Sequence, residues 1–139
     1  TTTYFVDNDI IILSINPDGS IDWSTYVAKA QTTANSNFYL SYVMLIEGSR
    51  LHFIYNDDRK NLERIAEGKD VKTMKNPIKS VSVIATVEGD GNVSYDQLFR
   101  NKDMSAILVP KKCHNTSEGN AIIYGVKGKK TRFGELTFR

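Results

Sequence analysis

The sequence predicts an all-β fold built from antiparallel hairpins, and three observations carry that expectation. Apolar runs of strand length, rich in Ile, Val, Tyr and Phe, recur between turn signals. One hairpin pattern occurs twice, 72 residues apart, with Gly19 and Gly91 in register. The turns joining the runs carry Asp-Gly or similar Gly-containing sequences, which supply the positive φ that tight antiparallel connections need. The hairpins group as about two propeller-type blades, a partial β-propeller, with a closed β-sandwich or barrel as the alternative. The whole of 1–139 reads as a single all-β domain or as a fragment of a larger repeat domain.

Taken in order, Ile10–Trp23 (IIILSINPDGSIDW) is the clearest hairpin. Pro17 suits the first corner of a turn, Asp18 can hydrogen-bond its own backbone, and Gly19 accepts positive φ. Phe38–Ile46 and Leu51–Tyr55, joined by Glu47-Gly48-Ser49-Arg50, form a second hairpin type. In Asn61–Gly68 the apolar positions Leu62, Ile65 and Ala66 share one helical face, and Gly68 is a plausible stop, so a short helix is expected there. Lys69–Lys79 is a Lys-rich connector whose charge reads most simply as a solvated loop.

Val83–Tyr95 (VIATVEGDGNVSY) repeats the first hairpin. At the same offset Val83 falls on Ile11, Ile84 on Ile12, Val87 on Ile15, Asp90 on Asp18, Val93 on Ile21 and Tyr95 on Trp23. Ala106–Val109 reads as a short strand ended by Pro110. Asn120–Val126 and Thr131–Phe138, joined by Lys127-Gly128-Lys129-Lys130, close the chain as a fourth hairpin. One complete four-stranded unit then runs from about Phe38 to Phe99, with a half unit before it and another after it.

Composition narrows the function classes. A formal net charge of +2 is too small a surplus to point to nucleic acid. No apolar run approaches the roughly 20 residues of a membrane span. The single cysteine, Cys113, excludes an internal disulfide. The start, Thr1-Thr2-Thr3-Tyr4-Phe5, has neither a basic nor an apolar leader region and lacks Met, which leaves a removed leader open.

The best site candidates are two oxygen-rich clusters, Asp7-Asn8-Asp9 and Asn56-Asp57-Asp58. Grouped carboxylates and amides suit a hard cation, so Ca²⁺ is the one cofactor considered, at Asp7, Asp9, Asn56, Asp57 and Asp58. The same residues also end strands by bonding their own backbone, and that plainer reading is preferred. His52 reads as a solvent-facing or partly covered strand residue, Cys113 and His114 as loop residues, and Lys127, Lys129, Lys130 and Arg132 as a charged hairpin tip that guards an edge. No nucleophile elbow, phosphate loop, His-Glu-x-x-His or paired-Cys motif occurs. No catalytic residue is therefore assigned.

The stretches Ile12–Trp23, Leu51–Asp57 and Lys129–Gly134 resemble the C-terminal part of uncharacterised β-propeller-like proteins of the Gram-negative cell envelope. The resemblance implies a longer, exported, periplasmic or cell-envelope protein, and it carries no catalytic residues with it. The expectation is a non-catalytic binding or scaffold segment that meets a protein or glycan partner through the loops Asp7–Asp9, Asn56–Lys60 and Lys111–Gly119. Self-association through open strand edges is also expected. The rival is a carbohydrate- or peptide-acting hydrolase with Asp57, Asp58 or Asp9 convergent in a cleft.

Overall fold

The computed structural model describes residues 1–138. Twelve strands form four antiparallel sheets, and none of these closes into a barrel. The strands are β1 (Tyr4–Asp7), β2 (Ile10–Ile15), β3 (Ile21–Val27), β4 (Gln31–Ala34), β5 (Val43–Glu47), β6 (Arg50–Asp57), β7 (Val81–Val87), β8 (Val93–Arg100), β9 (Ile107–Leu108), β10 (His114–Ser117), β11 (Asn120–Lys127) and β12 (Lys130–Thr137). One helix, α1 (Asn61–Ala66), and 3₁₀ turns at Pro77–Lys79 and Pro110–Lys112 complete the order.

The centre is a four-stranded meander, β5-β6-β7-β8, paired in chain order. Its two middle strands, β6 and β7, are largely apolar on both faces because both of those faces are covered. One face carries Phe53, Tyr55, Val83, Ala85 and Val87 and packs on Ile10, Ile12 and Val27 of the β2–β3 hairpin. The other carries Val43, Leu45, Ile54 and Ile84 and packs on Leu108, Cys113 and Ala121 of the last sheet. In that sheet β9 and β10 pair with different halves of β11, so together they make one interrupted edge opposite β12.

The β2–β3 hairpin differs from β7–β8 in having only one covered face. Ile10, Ile12 and Val27 are buried, whereas Ile11 is 74% and Ile15 is 61% exposed, with Leu13, Ile21 and Tyr26 also open. Side chains alternate along a strand, so the open residues form a single face.

The repeat is closer in strands β2 and β7 than in β3 and β8. Each hairpin has one bulge, but it lies between Ser14 and Ile15 in the first and between Ser82 and Val83 in the second. A bulge flips the side-chain phase beyond it. Trp23 therefore lies opposite Ser14, on the face toward the central sheet, while Tyr95 lies opposite Ala85, on the face toward β2–β3. The two aromatics aligned in sequence point toward each other's unit. Trp23 donates from Nε1 to the Gly89 carbonyl (3.1 Å), and the Tyr95 hydroxyl accepts from the Ala28 amide (2.9 Å).

Several boundaries depart from the sequence reading. β1 and β4 are strands that the reading left unassigned, and the Lys111–Gly119 loop contains β10. The strand expected from Phe38 begins only at Val43, because Ser41 takes a positive φ (74°) and breaks the extended run. The helix lies where expected, and the Gly68 φ of 70° ends it.

Candidate functional site

Through Gln31, the second oxygen-rich cluster is linked to the side chain on which the first one closes, one that the sequence reading did not single out, Lys29. It lies in the short link between β3 and β4 and is 1% exposed. Its ammonium bonds the Asp7 carboxylate and backbone carbonyl, and it donates to Gln31 Oε1 at 3.2 Å. Its backbone N–H donates to Asp9 Oδ1 at 3.1 Å. Burial lowers the Lys29 pKa from its ordinary value, and the Asp7 contact opposes that shift, with Asp57 and Asp9 adding longer-range attraction. A buried ammonium is tolerated only when paired in this way.

Asn56 and Asp57 end strand β6, and both are fully buried. They were expected on a rim loop, but strand alternation sends them to opposite faces of the sheet. Asn56 Nδ2 donates to the carbonyls of Tyr39 (3.0 Å) and Leu108 (2.8 Å), while its Oδ1 accepts from Asn101 Nδ2 (2.9 Å). Its own carbonyl accepts from Gln31 Nε2 at 2.7 Å. Asn101 continues the network to Ser80 and Ser82. Asn56 thus ties four chain segments together through both polar atoms of its side chain and its own carbonyl.

Asp57 Oδ1 accepts from the Asp58 amide (2.9 Å) and from Asn61 Nδ2 (2.7 Å). Its Oδ2 and the Tyr55 hydroxyl are buried without a hydrogen-bond partner among the described residues. Burial raises the Asp57 pKa to about 6, with the Asn61 and Asp58 bonds pulling the other way. Burial, and then the nearby Asp57 charge, also push the Tyr55 phenol well above its usual value.

Asp58 starts a turn in which its Oδ1 accepts from the Lys60 amide at 2.9 Å. The strand-ending role preferred from sequence describes Asp58 well, and Asp57 performs part of it through the Asp58 amide. Asp58, Arg59 and Lys60 then open onto a solvent-facing cavity of about 750 Å³. Asp9 borders a second cavity, of about 580 Å³, with Tyr26 and Tyr95. An apolar groove of about 230 Å³ lies between β8 and β12 and is lined by Phe99, Leu108, Tyr124 and Leu136.

Among the described residues no group of three or more His, Cys, Asp or Glu is arranged to hold a metal ion. At Asp7 the local cation is the Lys29 ammonium.

His52 is buried rather than solvent-facing. It stacks on Phe138 (centroids 3.9 Å, planes 7° apart), with Nδ1 2.8 Å from Thr86 Oγ1 and Nε2 3.3 Å from Glu47 Oε1. Cys113 is buried and its thiol pKa is raised by burial, while His114 is exposed on β10, so the sequence neighbours form no catalytic pair.

The sequence did hold a signal for Lys29. Val27, Lys29 and Gln31 continue the alternating phase of β3, so the buried face runs on through the link into β4. Asn101 left no such trace, because Asn-Lys-Asp reads as a turn. The described helix is too short and polar to cross a membrane. Comparison with protein-family models, curated proteins and solved structures finds no match to this chain.

Proposed function

We propose that the chain is a non-catalytic scaffold and binding segment of an exported, propeller-like protein of the bacterial cell envelope, in which four-stranded units stack face to face. One observation carries this reading. The open residues Ile11, Leu13, Ile15 and Ile21 correspond, at the repeat offset, to Val83, Ala85, Val87 and Val93, which pack on the neighbouring hairpin. The opposite face obeys the same rule: Ile12 packs on the central sheet, and its equivalent Ile84 packs on the last one. Stacking is therefore directional, and the open face of β2–β3 is suited to another unit of the same kind. A contiguous apolar face of this sort marks an interaction surface.

Hydrogen exchange tests the reading by comparing this chain with the gene product made in its native host. Slower exchange across β2 and β3 in the native product supports stacking in one chain. A native product of this same mass, with equal exchange, overturns it.

A second reading, hydrolysis of a carbohydrate or peptide, draws support from the raised Asp57 pKa, since such shifts gather at reactive sites. Against it, the Asp57 side chain has no exposure, and it lines none of the three cavities described above. Loss of hydrolysis in Asp57→Asn, with folding retained, would establish this second reading.

A further inference from the structure

We propose that the 750 Å³ cavity beside α1 binds a saccharide carrying several phosphate or sulfate groups. The inference rests on the binding reading above and names the ligand class. Three segments remote in sequence build the cavity. Arg59 and Lys60 follow β6, and Arg100 and Lys102 follow β8. Lys72, Lys75 and Lys79 come from the connector that, in sequence, reads as a solvated loop. Asp58 is the one carboxylate in the wall.

The chain as a whole has 18 Lys and Arg against 16 Asp and Glu, so a wall of seven cations to one anion is a local concentration that the overall balance does not explain. Like charges placed around a concavity repel one another and focus a positive potential into it. Among the described residues, Arg100 alone of the seven is held in an ion pair, with Asp103 at 2.6 Å. The others face solvent and can turn toward a ligand.

The chemistry of the wall selects among anions. No aromatic ring lines it, so bases have nothing to stack on, as single-stranded nucleic acid sites require. Thr73 and Asn76 add neutral polar groups suited to sugar hydroxyls. The cavity falls in the size range of small-ligand sites, so six cations outside any ion pair among the described residues, against the one carboxylate of Asp58, call for dense negative charge on a small body. Uronates carry one charge per ring; phosphorylated or multiply sulfated rings carry more. The five lysines act as adaptable point charges for such oxyanions.

Calorimetric titration of the full chain at low salt tests the proposal. The probes are a heparin-derived sulfated tetrasaccharide, inorganic pyrophosphate, a neutral tetrasaccharide and a single-stranded DNA decamer. The expected result is saturable binding of the sulfated tetrasaccharide that weakens with salt, no binding of the neutral one, and weaker binding of the other two. In the triple variant Lys75→Glu, Lys79→Glu, Lys102→Glu the affinity should fall roughly tenfold or more. The milder Lys→Gln set, checked for an unchanged melting temperature, separates lost binding from lost folding. Equal or tighter binding of DNA or pyrophosphate overturns the saccharide assignment, and absent or variant-insensitive binding overturns the site. Exchange at β2 and β3 is read separately, so failure here and failure of the scaffold reading are distinguishable.

Discussion

The β2–β3 and β7–β8 hairpins share a sequence pattern and a turn but differ in their surroundings. Both turns place glycine at a φ of 89°. At Gly19 an added Cβ would meet nothing within 4 Å, whereas at Gly91 it would come within 3.0 Å of the Trp23 ring. Both hairpins present alternating apolar residues, but β7–β8 has neighbours on two faces and β2–β3 on one. The pattern encodes what a unit needs around it, and only the assembled fold says which needs are met.

A charge at equivalent positions should separate the two hairpins most widely. Val87→Asp places a carboxylate where the side chain is 1% exposed, and should cost several kcal/mol, enough to unfold a domain of ordinary stability. Ile15→Asp, on the open face, should change stability by no more than about 0.5 kcal/mol. Urea melts of the two variants decide the matter; similar losses would mean that the open face is covered in solution. If copies of the chain pair through that face, Ile15→Asp should also shift sedimentation toward monomer.

Next in size is the network that holds the doubly covered unit together. Asn56→Ala leaves the Tyr39 and Leu108 carbonyls and the Asn101 amide without their partner, and should cost about 3 kcal/mol or more. Chemical denaturation measures this directly, and a loss below about 1 kcal/mol would show that the network is redundant.

The paired glycines give a smaller, cleaner contrast. Gly19→Ala should cost about 1 kcal/mol from the left-handed backbone alone. Gly91→Ala adds the clash with Trp23 and should cost more. Matching shifts in melting temperature would mean that the ring moves aside freely.

Asp57 supplies the most condition-dependent effect. Its folded pKa, about 6, lies above the ordinary carboxylate value of 3.8, so between these values the folded state holds more protons than the unfolded one. Burying the ionised carboxylate costs stability above pH 6, and that cost is relieved as pH falls toward 4, by up to roughly 2–3 kcal/mol. Across this window the stability of wild type relative to Asp57→Asn should rise as the solution is acidified. A flat difference would place the folded pKa near its ordinary value.

Hairpin existence and turn chemistry were legible because they are local: an Asp-Gly turn between alternating runs leaves few other structures open. The offset of 72 residues also located the central unit. Faces were harder to read, because bulge position decides the phase of β3 and β8, and no residue in either strand marks it. At the candidate site the residue types were visible but not their depth. Asp57 and Asp58 are neighbours with similar side chains, yet one is sealed and the other faces a cavity, since the strand ends between them. Lys29 comes from a segment that looks like a linker: the alternating phase of β3 marks it as facing inward, but nothing local names its partner Asp7, 22 residues away.

The link bearing Lys29 joins the hairpin with one uncovered face to β4, and this ties two properties together. With one face uncovered, β2–β3 can lift away without breaking contacts on its open side, and its departure would loosen Lys29 and admit solvent to Asp57. Ionised Asp57 gains most from that hydration, so brief openings should be more frequent above pH 6 than below it. Protease nicking near Ala28–Ala30 should follow the same pH trend after correction for the protease's own pH profile, and Asp57→Asn should abolish it. The open side of the molecule would then behave as a latch whose looseness is set by a carboxyl group on the sheet beneath.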